Sequence, residues 1–406
     1  MGRVHFCEVD YWPHNTCLYV TDFLGNDPLF AYYKLAELDL ARYNSGSAQP
    51  SLNRNYIYGM RLTVPEPHVQ SQIARTVRNF DRKIDLNRHI NQTLEAMAQA
   101  LFKSWFVDFD PVKGKIAAKS TLTPALSQRE REEKVLRAAM SAISGKSDAE
   151  LDALKLLPSP SGESEARGAK PAGGEGATRR AYDDLAATAA LFPDEMEESE
   201  LGEIPRGWRV RAMPDCIDVN PSRILKKGVA ARYLDMANVP TNSARVQNVL
   251  LREFTSGSKF RNGDTLLARI TPCLENGKTA FVDFLDGDEI GWGSTEFIVF
   301  RPKNGLPESL AYFLCRDPVF RAFVISQMAR TSGRQRVPNN CFGGYKLVEP
   351  SAAVATEFGR ISGAALNQIK ALDEEAKTLA SLRDTLLPKL LSGKLSVTEA
   401  IAEADA

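Results

Sequence analysis

The sequence predicts an α+β chain: two mixed α/β units, the first of them shortened, set apart by two long helices, with a flexible insertion between the halves. Three observations carry this reading. Residues 23–30 read FLGNDPLF and residues 313–320 read FLCRDPVF, an offset of 290 (313 minus 23). Each copy is followed by a long run of apolar residues at helical spacing. Between the halves lies a stretch rich in Gly, Ser, Pro and charge. A repeat decides architecture before any site is considered.

Residues 1–66 form the partial first unit. After Phe30 come YNSGSAQPSLN and LTVPEP; after Phe320 come TSGRQRVPNN and LVEP, in the same order. The chain therefore reads as a tandem duplication of a unit that ends in a long helix. With equal halves the counterpart of Leu201 would fall at position −89 (201 minus 290), so the first unit is expected to lack its beginning and residues 1–60 to fold poorly alone.

Residues 67–108 form the first spacer helix, with Ile73, Val77, Phe80, Ile84, Leu94, Leu101 and Trp105 in steps that fit a heptad seam. Asn87 and Asn91 interrupt that seam, and buried asparagines fix register at some cost in stability. Residues 352–394 form the second, through Val354, Phe358, Ile361, Ala365, Leu372, Ala376, Leu379, Leu386 and Leu390, closed by Pro388 and Gly393. An offset of 285 (358 minus 73) pairs Ile73 with Phe358, Ile84 with Ile369, Leu94 with Leu379, Leu101 with Leu386 and Trp105 with Leu390. Such a helix is about 55 Å long at 1.5 Å per residue, more than one compact domain uses, so each needs a partner. The other copy is the obvious one, and a dimerisation stalk is the plainer alternative.

Residues 113–200 include SPSGESEARGAKPAGGEGATRR, which cannot bury a core and reads as a flexible linker; SQREREEKVLRAAMSAI suggests one short solvated helix. Residues 201–350 are the complete mixed unit. Strands are expected at 265–270, 279–284 and 295–301, and helical periodicity runs through Leu310, Phe313, Leu314, Phe320, Phe323 and Val324.

At 406 residues and 43% hydrophobic the chain can bury real cores, and its net charge of zero gives no global sign of a polyanion partner. By region, residues 202–350 carry 21 Lys/Arg against 15 Asp/Glu, a surplus of +6 (21 minus 15) that biases the segment toward phosphate. Six scattered cysteines without a C-x-x-C pair argue for reduced thiols and against a zinc site. There is no signal-peptide pattern and no long apolar run, so a cytoplasmic location without membrane contact is expected.

Several activities lack their residues. No G-x-x-x-x-G-K-[ST] loop occurs, nor an Asn/Asp-Pro-Pro-aromatic tetrapeptide. A nuclease built on Asp264, Glu275 and Lys278 would place the lysine one residue wrong for a two-carboxylate site. The four histidines adjoin no nucleophile. No catalytic residue, metal ligand or cofactor site is expected. The candidates for DNA contact are Lys259, Arg261, Arg269, Thr271, Lys278, and the loop Gly333, Arg334, Gln335 and Arg336, with Gln49 as first-half counterpart. Arg matches guanine O6/N7 and Gln adenine N6/N7, while Gly admits close backbone approach to phosphate. An ordinary solvated turn is the competing reading of that loop.

The motifs LYVTDFLGNDPLFAYY, SGSAQPSLNRNYI, LTVPEP, LFKSWFVDFDPV, LFPDEMEESELGEIPRGWRV and LRDTLLPKLLSGKL together resemble the DNA-specificity subunits of type I restriction-modification systems. The resemblance covers about residues 16–112 and 190–396. It implies two target-recognition domains, each reading half of a split sequence in double-stranded DNA, and two helices packed antiparallel to set the spacing. It further implies two methyltransferase subunits that flip an adenine and use S-adenosylmethionine, and restriction/translocase subunits that use ATP and Mg. The alternative of another class is a helical scaffold or decoy that binds methyltransferase subunits without reading DNA, or an inactive product.

Overall fold

The computed structural model describes residues 2–44, 51–123, 125–156, 175–331 and 334–399. The chain divides into two compact units: residues 1–91 with 371–406, and residues 92–370. Each contains part of both long helices.

In the first unit, helix α1 (Pro28–Glu37) begins where the sequence says it must. The Asp27 carboxylate accepts hydrogen bonds from the amides of Leu29 (3.0 Å) and Phe30 (2.9 Å), and Pro28 supplies a first-turn residue that has no amide to satisfy. Helix α2 (Pro67–Phe106) provides Ile73, Ala74 and Val77, which bury Phe30 and Tyr33 of α1 together with Leu386, Leu390 and Leu391 from the far end of the chain. Phe80 packs at the edge of the same core. Asp81 of α2 accepts from Tyr33 Oη at 2.5 Å and pairs with Arg383 at 2.7 Å. Asn87, fully buried as its seam position requires, donates to Leu372 O at 3.3 Å and to Glu375 Oε2 at 2.8 Å. Because residues 81 and 87 meet 383 and 372–375 in reverse order, the two helices run antiparallel within this unit. The described residues among 2–66 otherwise hold two short 3-10 turns and one isolated bridge, Asn44 to Leu52.

The second unit begins with the remainder of α2. Helices α3 (Asp110–Ser120), α4 (Gln128–Ser144), α5 (Asp148–Leu156) and α6 (Glu175–Ala190) follow. This corrects the expectation of a flexible linker with one short helix over the described part of 113–200. A capping box between Ser127 and Glu130 starts α4, a left-handed Gly145 ends it, and Ala139, Met140, Leu151, Tyr182 and Ala189 make a small core. Those apolar residues are few and spread among charges, so composition hid them. The Gly/Ser/Pro-rich residues 157–174 lie outside the described residues.

The strands are β1 (Met196–Ser199), β2 (Gly202–Pro205), β3 (Arg209–Ala212), β4 (Ile217–Val219), β5 (Ala230–Leu234), β6 (Leu250–Glu253) and β7 (Ser258–Phe260). Next come β8 (Thr265–Ala268), β9 (Thr279–Phe281), β10 (Gly291–Gly293), β11 (Phe297–Pro302), β12 (Ala329–Thr331), β13 (Arg334–Arg336) and β14 (Lys346–Glu349). Two four-stranded sheets have the orders β6-β5-β10-β7 and β4-β11-β8-β9, antiparallel except for β10 beside β5. Three two-stranded ribbons, β1-β2, β12-β13 and β14-β3, complete the pairing. The three expected strands are present and shorter than expected.

The single helical pattern through 310–324 is two short helices in the structure, with helices α7 (Met213–Cys216), α8 (Ser309–Arg316), α9 (Pro318–Ser326) and α10 (Ala352–Leu391) closing the chain order. Pro318 cannot continue α8, and the Asp317 carboxylate caps α9 through the amides of Val319 (2.9 Å) and Phe320 (3.1 Å). This is the Asp27–Pro28 device again, in the second copy of the repeat. Pro388 does not close α10, which runs through it to Leu391 before Gly393 adopts a left-handed φ of 70°.

The main core joins Ala98, Phe102 and Trp105 of α2 to Val354, Phe358, Leu366 and Ile369 of α10, and both to α8, α9 and the β4-β11-β8-β9 sheet. Leu94 and Leu101 pack at its margin. Leu379, expected in the seam, is half-buried.

Candidate nucleic-acid interface

The sequence candidates fall into two groups in the second unit. One gathers where β8 ends, β9 and β11 begin, and the β12-β13 ribbon comes down on them. Arg336 bridges to Ile270, the Val337 amide donates to Arg269 O at 2.9 Å, and the Thr271 amide donates to Gln335 O at 3.3 Å. Arg269, Thr271, Gln335 and Arg336 are thereby held on one rim, beside the cis Thr271–Pro272 peptide. Lys278, at the start of β9, belongs to the same end of the sheet and donates to Met236 O at 2.6 Å. Gly333 and the first-half Gln49 lie outside the described residues, as does the side chain of Arg334.

The charges on this rim are engaged. Arg336 forks onto Glu296 through Nε (2.9 Å) and Nη2 (2.7 Å), and the Arg269 guanidinium donates to Val337 O. The Glu296 carboxylate raises the pKa of the Arg336 guanidinium by hydrogen bond and charge, so that side chain is a fixed cation. Gln335 differs: its backbone is pinned through Thr271, while its half-buried side chain has no partner among the described residues.

The second group, Lys259 and Arg261, lies on and just after β7, the edge strand of the β6-β5-β10-β7 sheet. Lys259 Nζ donates to Arg223 O at 3.1 Å and lies 5.0 Å above the Phe254 ring. Arg261 is exposed, and its amide donates to Asp264 Oδ2 at 2.8 Å. Asp264 is fully buried and paired with Arg223 and Arg301. It is the structural centre of this end of the fold, where sequence reading weighs it as a nuclease ligand. Among the described residues no group of three or more His, Cys, Asp or Glu is placed to hold a metal. No described helix is long and apolar enough to cross a membrane.

Glu95 went unmarked in the sequence and ties the mixed α/β body to α2. From α2 it accepts the Ala244 amide at 3.0 Å and the Tyr312 hydroxyl, with Arg316 Nε at 4.0 Å. Burial raises its pKa, against the lowering influence of those hydrogen bonds and Arg316. Its signal is positional, since Glu95 lies three residues before Ala98 on the stripe that continues to Phe102 and Trp105.

A capped Asp-Pro helix stands in each half, and the mixed α/β body carries polar and basic residues on strand-held loops. The family model described as type I restriction modification DNA specificity domain matches residues 1–96. The type I restriction enzyme HindI specificity subunit of Haemophilus influenzae is 26% identical over 374 residues, covering 90% of this chain and 74% of that protein. The EcoEI specificity subunit of Escherichia coli is 28% identical over 194 residues, 46% of this chain and 32% of that one. Among solved structures, a type I restriction-modification S subunit from M. genitalium covers 91% of this chain and 74% of its own, at 12% identity and a TM-score of 0.43. The chain is similar to type I restriction-modification DNA specificity subunits, in its first 96 residues by family model and over 374 residues by the HindI relative.

Proposed function

We propose that the chain gives a type I restriction-modification complex its address on a bipartite sequence in double-stranded DNA, and that the second unit reads one half of it. The observation that carries this reading is the rim on which Arg269, Thr271, Gln335 and Arg336 are locked to one another by backbone hydrogen bonds. Base readout needs side chains whose backbone does not move when DNA arrives, and here strand pairing holds it. With the Arg336 fork occupied by Glu296, base contact falls first to Gln335, whose amide suits adenine N6/N7. Lys259, Arg261 and Lys278 serve as phosphate contacts, as do Gly333 and Arg334 of the TSGRQR stretch, and Gln49 is the first-half counterpart.

The two long helices serve as spacers and as the docking ground for modification subunits, two by the symmetry of the repeat. Domain boundaries follow at 1–66, 67–108, 113–200, 201–350 and 352–394. Methyl transfer from S-adenosylmethionine, and ATP- and Mg-dependent restriction, fall to partner subunits in the cytoplasm; this chain supplies position. The motifs that group the two halves, Asp27–Pro28 and Asp317–Pro318, support a pseudo-symmetric reader.

Co-expression with the modification subunit of its own system, followed by purification and mass determination, tests assembly. One chain recovered with two modification subunits is the expected result; a folded chain that recovers none contradicts the reading. Within such a complex Gln335→Ala should relax preference at one base pair by about 1–3 kcal/mol without weakening binding to mixed-sequence duplex.

A further inference from the structure

Many of the 21 Lys/Arg in residues 202–350 are neutralised where they stand. Arg206, Arg211, Arg223, Arg232, Arg245, Arg301, Lys303, Arg336 and Lys346 each pair with a carboxylate. The +6 surplus of 202–350 must therefore sit elsewhere, and the loop Pro221–Val229 is where a run of it is exposed. Its sequence PSRILKKGV holds three basic residues and no acidic one. Lys226 and Lys227 are exposed, and no carboxylate among the described residues pairs with either.

This loop is built rather than loose. Arg223 anchors its base on buried Asp264. Gly228, at a φ of +83°, turns the chain so that its amide donates to Phe254 O at 2.9 Å, and the Phe254 amide returns a bond to Val229 O at 2.8 Å. Below lies a small aromatic core of Phe254, Trp292 and Tyr233 with Leu225. Lys259 covers Phe254 from one side, and Arg252 stacks 4.8 Å from the Tyr233 ring on the other. Ile224, two residues before Lys226, is 87% exposed, and Leu251 on the edge strand β6 is 73% exposed. Fixed cations flanking an exposed apolar tip suit a nucleic-acid backbone, with the lysines on phosphates and the apolar side chains against sugar or a thymine methyl.

We propose that Lys226 and Lys227, on the clamped loop before β5, form a phosphate-contact surface for double-stranded DNA, supported by Lys259 and Arg252 and distinct from the Gln335 rim. The proposal rests on the DNA-reading function above and adds the place where the duplex backbone is held. Lysines on phosphates position the protein without reading sequence.

The test is the salt dependence of binding of the full chain, in complex with its modification subunits, to a mixed-sequence duplex, comparing wild type with Lys226→Ala/Lys227→Ala. Each phosphate contact contributes about 0.9 to the slope of log affinity against log salt, so the double variant should lose about 1.8. Preference between target and mixed sequence should be kept. A wild type that binds duplex with a slope unchanged by the substitutions overturns this surface and leaves the reading intact. Loss of the modification subunits from the variant, with the slope unchanged, assigns the loop to a protein contact and overturns it as well. A wild-type complex with no salt-dependent duplex binding defeats the DNA reading itself.

Discussion

Residues 19–24 and residues 309–314 hold the same place in the repeat and take opposite states. In the second copy they form α8, buried along nearly its whole length between the β4-β11-β8-β9 sheet and the long helices. In the first copy the chain is irregular, Leu24 sits at a left-handed φ of 51°, and its side chain is 82% exposed against 7% for its counterpart Leu314. Immediately afterwards the copies agree again. Asp27 and Asp317 cap α1 and α9 through the same two amides, and Phe30 and Phe320 are both buried.

The difference lies in what each copy packs against. A cap is a local device of a few residues, so it forms wherever its sequence occurs. An eight-residue helix is too short to stand on propensity and needs a surface to bury its apolar face. The second unit gives α8 a sheet; among the described residues of the first unit none lies against 19–24.

Five substitutions, in three sets, sharpen this contrast, in descending size. Leu314→Ala should cost about 2–5 kcal/mol, whereas Leu24→Ala should stay within about 0.5 kcal/mol, measured by denaturant unfolding of the full chain. Equal costs would mean that Leu24 is covered in solution. Glu95→Ala comes next, removing the acceptor of the Tyr312 hydroxyl and the Ala244 amide at a cost of about 1–3 kcal/mol. Its pH profile carries a sign. Because burial raises the folded pKa of Glu95, its stabilising contribution is fully present below the unfolded value near 4.5 and is lost as pH rises through the folded one. The penalty of Glu95→Ala should therefore be largest in acid and shrink on the way to neutrality; a penalty that grows with pH contradicts the assignment. Smallest, Asp27→Ala and Asp317→Ala should each cost about 0.5–2 kcal/mol, by similar amounts. A cost at only one cap would break the equivalence of the two copies.

How much of this was legible in the sequence follows the same division. The repeat, the two long helices, the buried Asn87 and the Asp-Pro starts rest on local pattern, and the structure carries them. The split of 310–324 into α8 and α9 was missed, because the apolar periodicity runs across Pro318, the residue that marks it. Between residues 110 and 190, α4 was legible as a short helix, while α3, α5 and α6 were missed because their small core is scattered among charges. The engagement of Arg336 by Glu296 joins residues 40 apart, and the clamp on Lys226 and Lys227 depends on Phe254 across a strand pair. Spacing in one sequence encodes neither, so it names the basic residues without separating those already spent on the fold from those left to a partner.

The measurement that tests the central claim most directly is a map of N6-methyladenine in DNA from cells expressing this chain with its modification subunit. One split sequence methylated throughout, and lost when the chain is omitted, is the predicted result. Methylation that is absent, or present without regard to this chain, would contradict its role as the address of the complex.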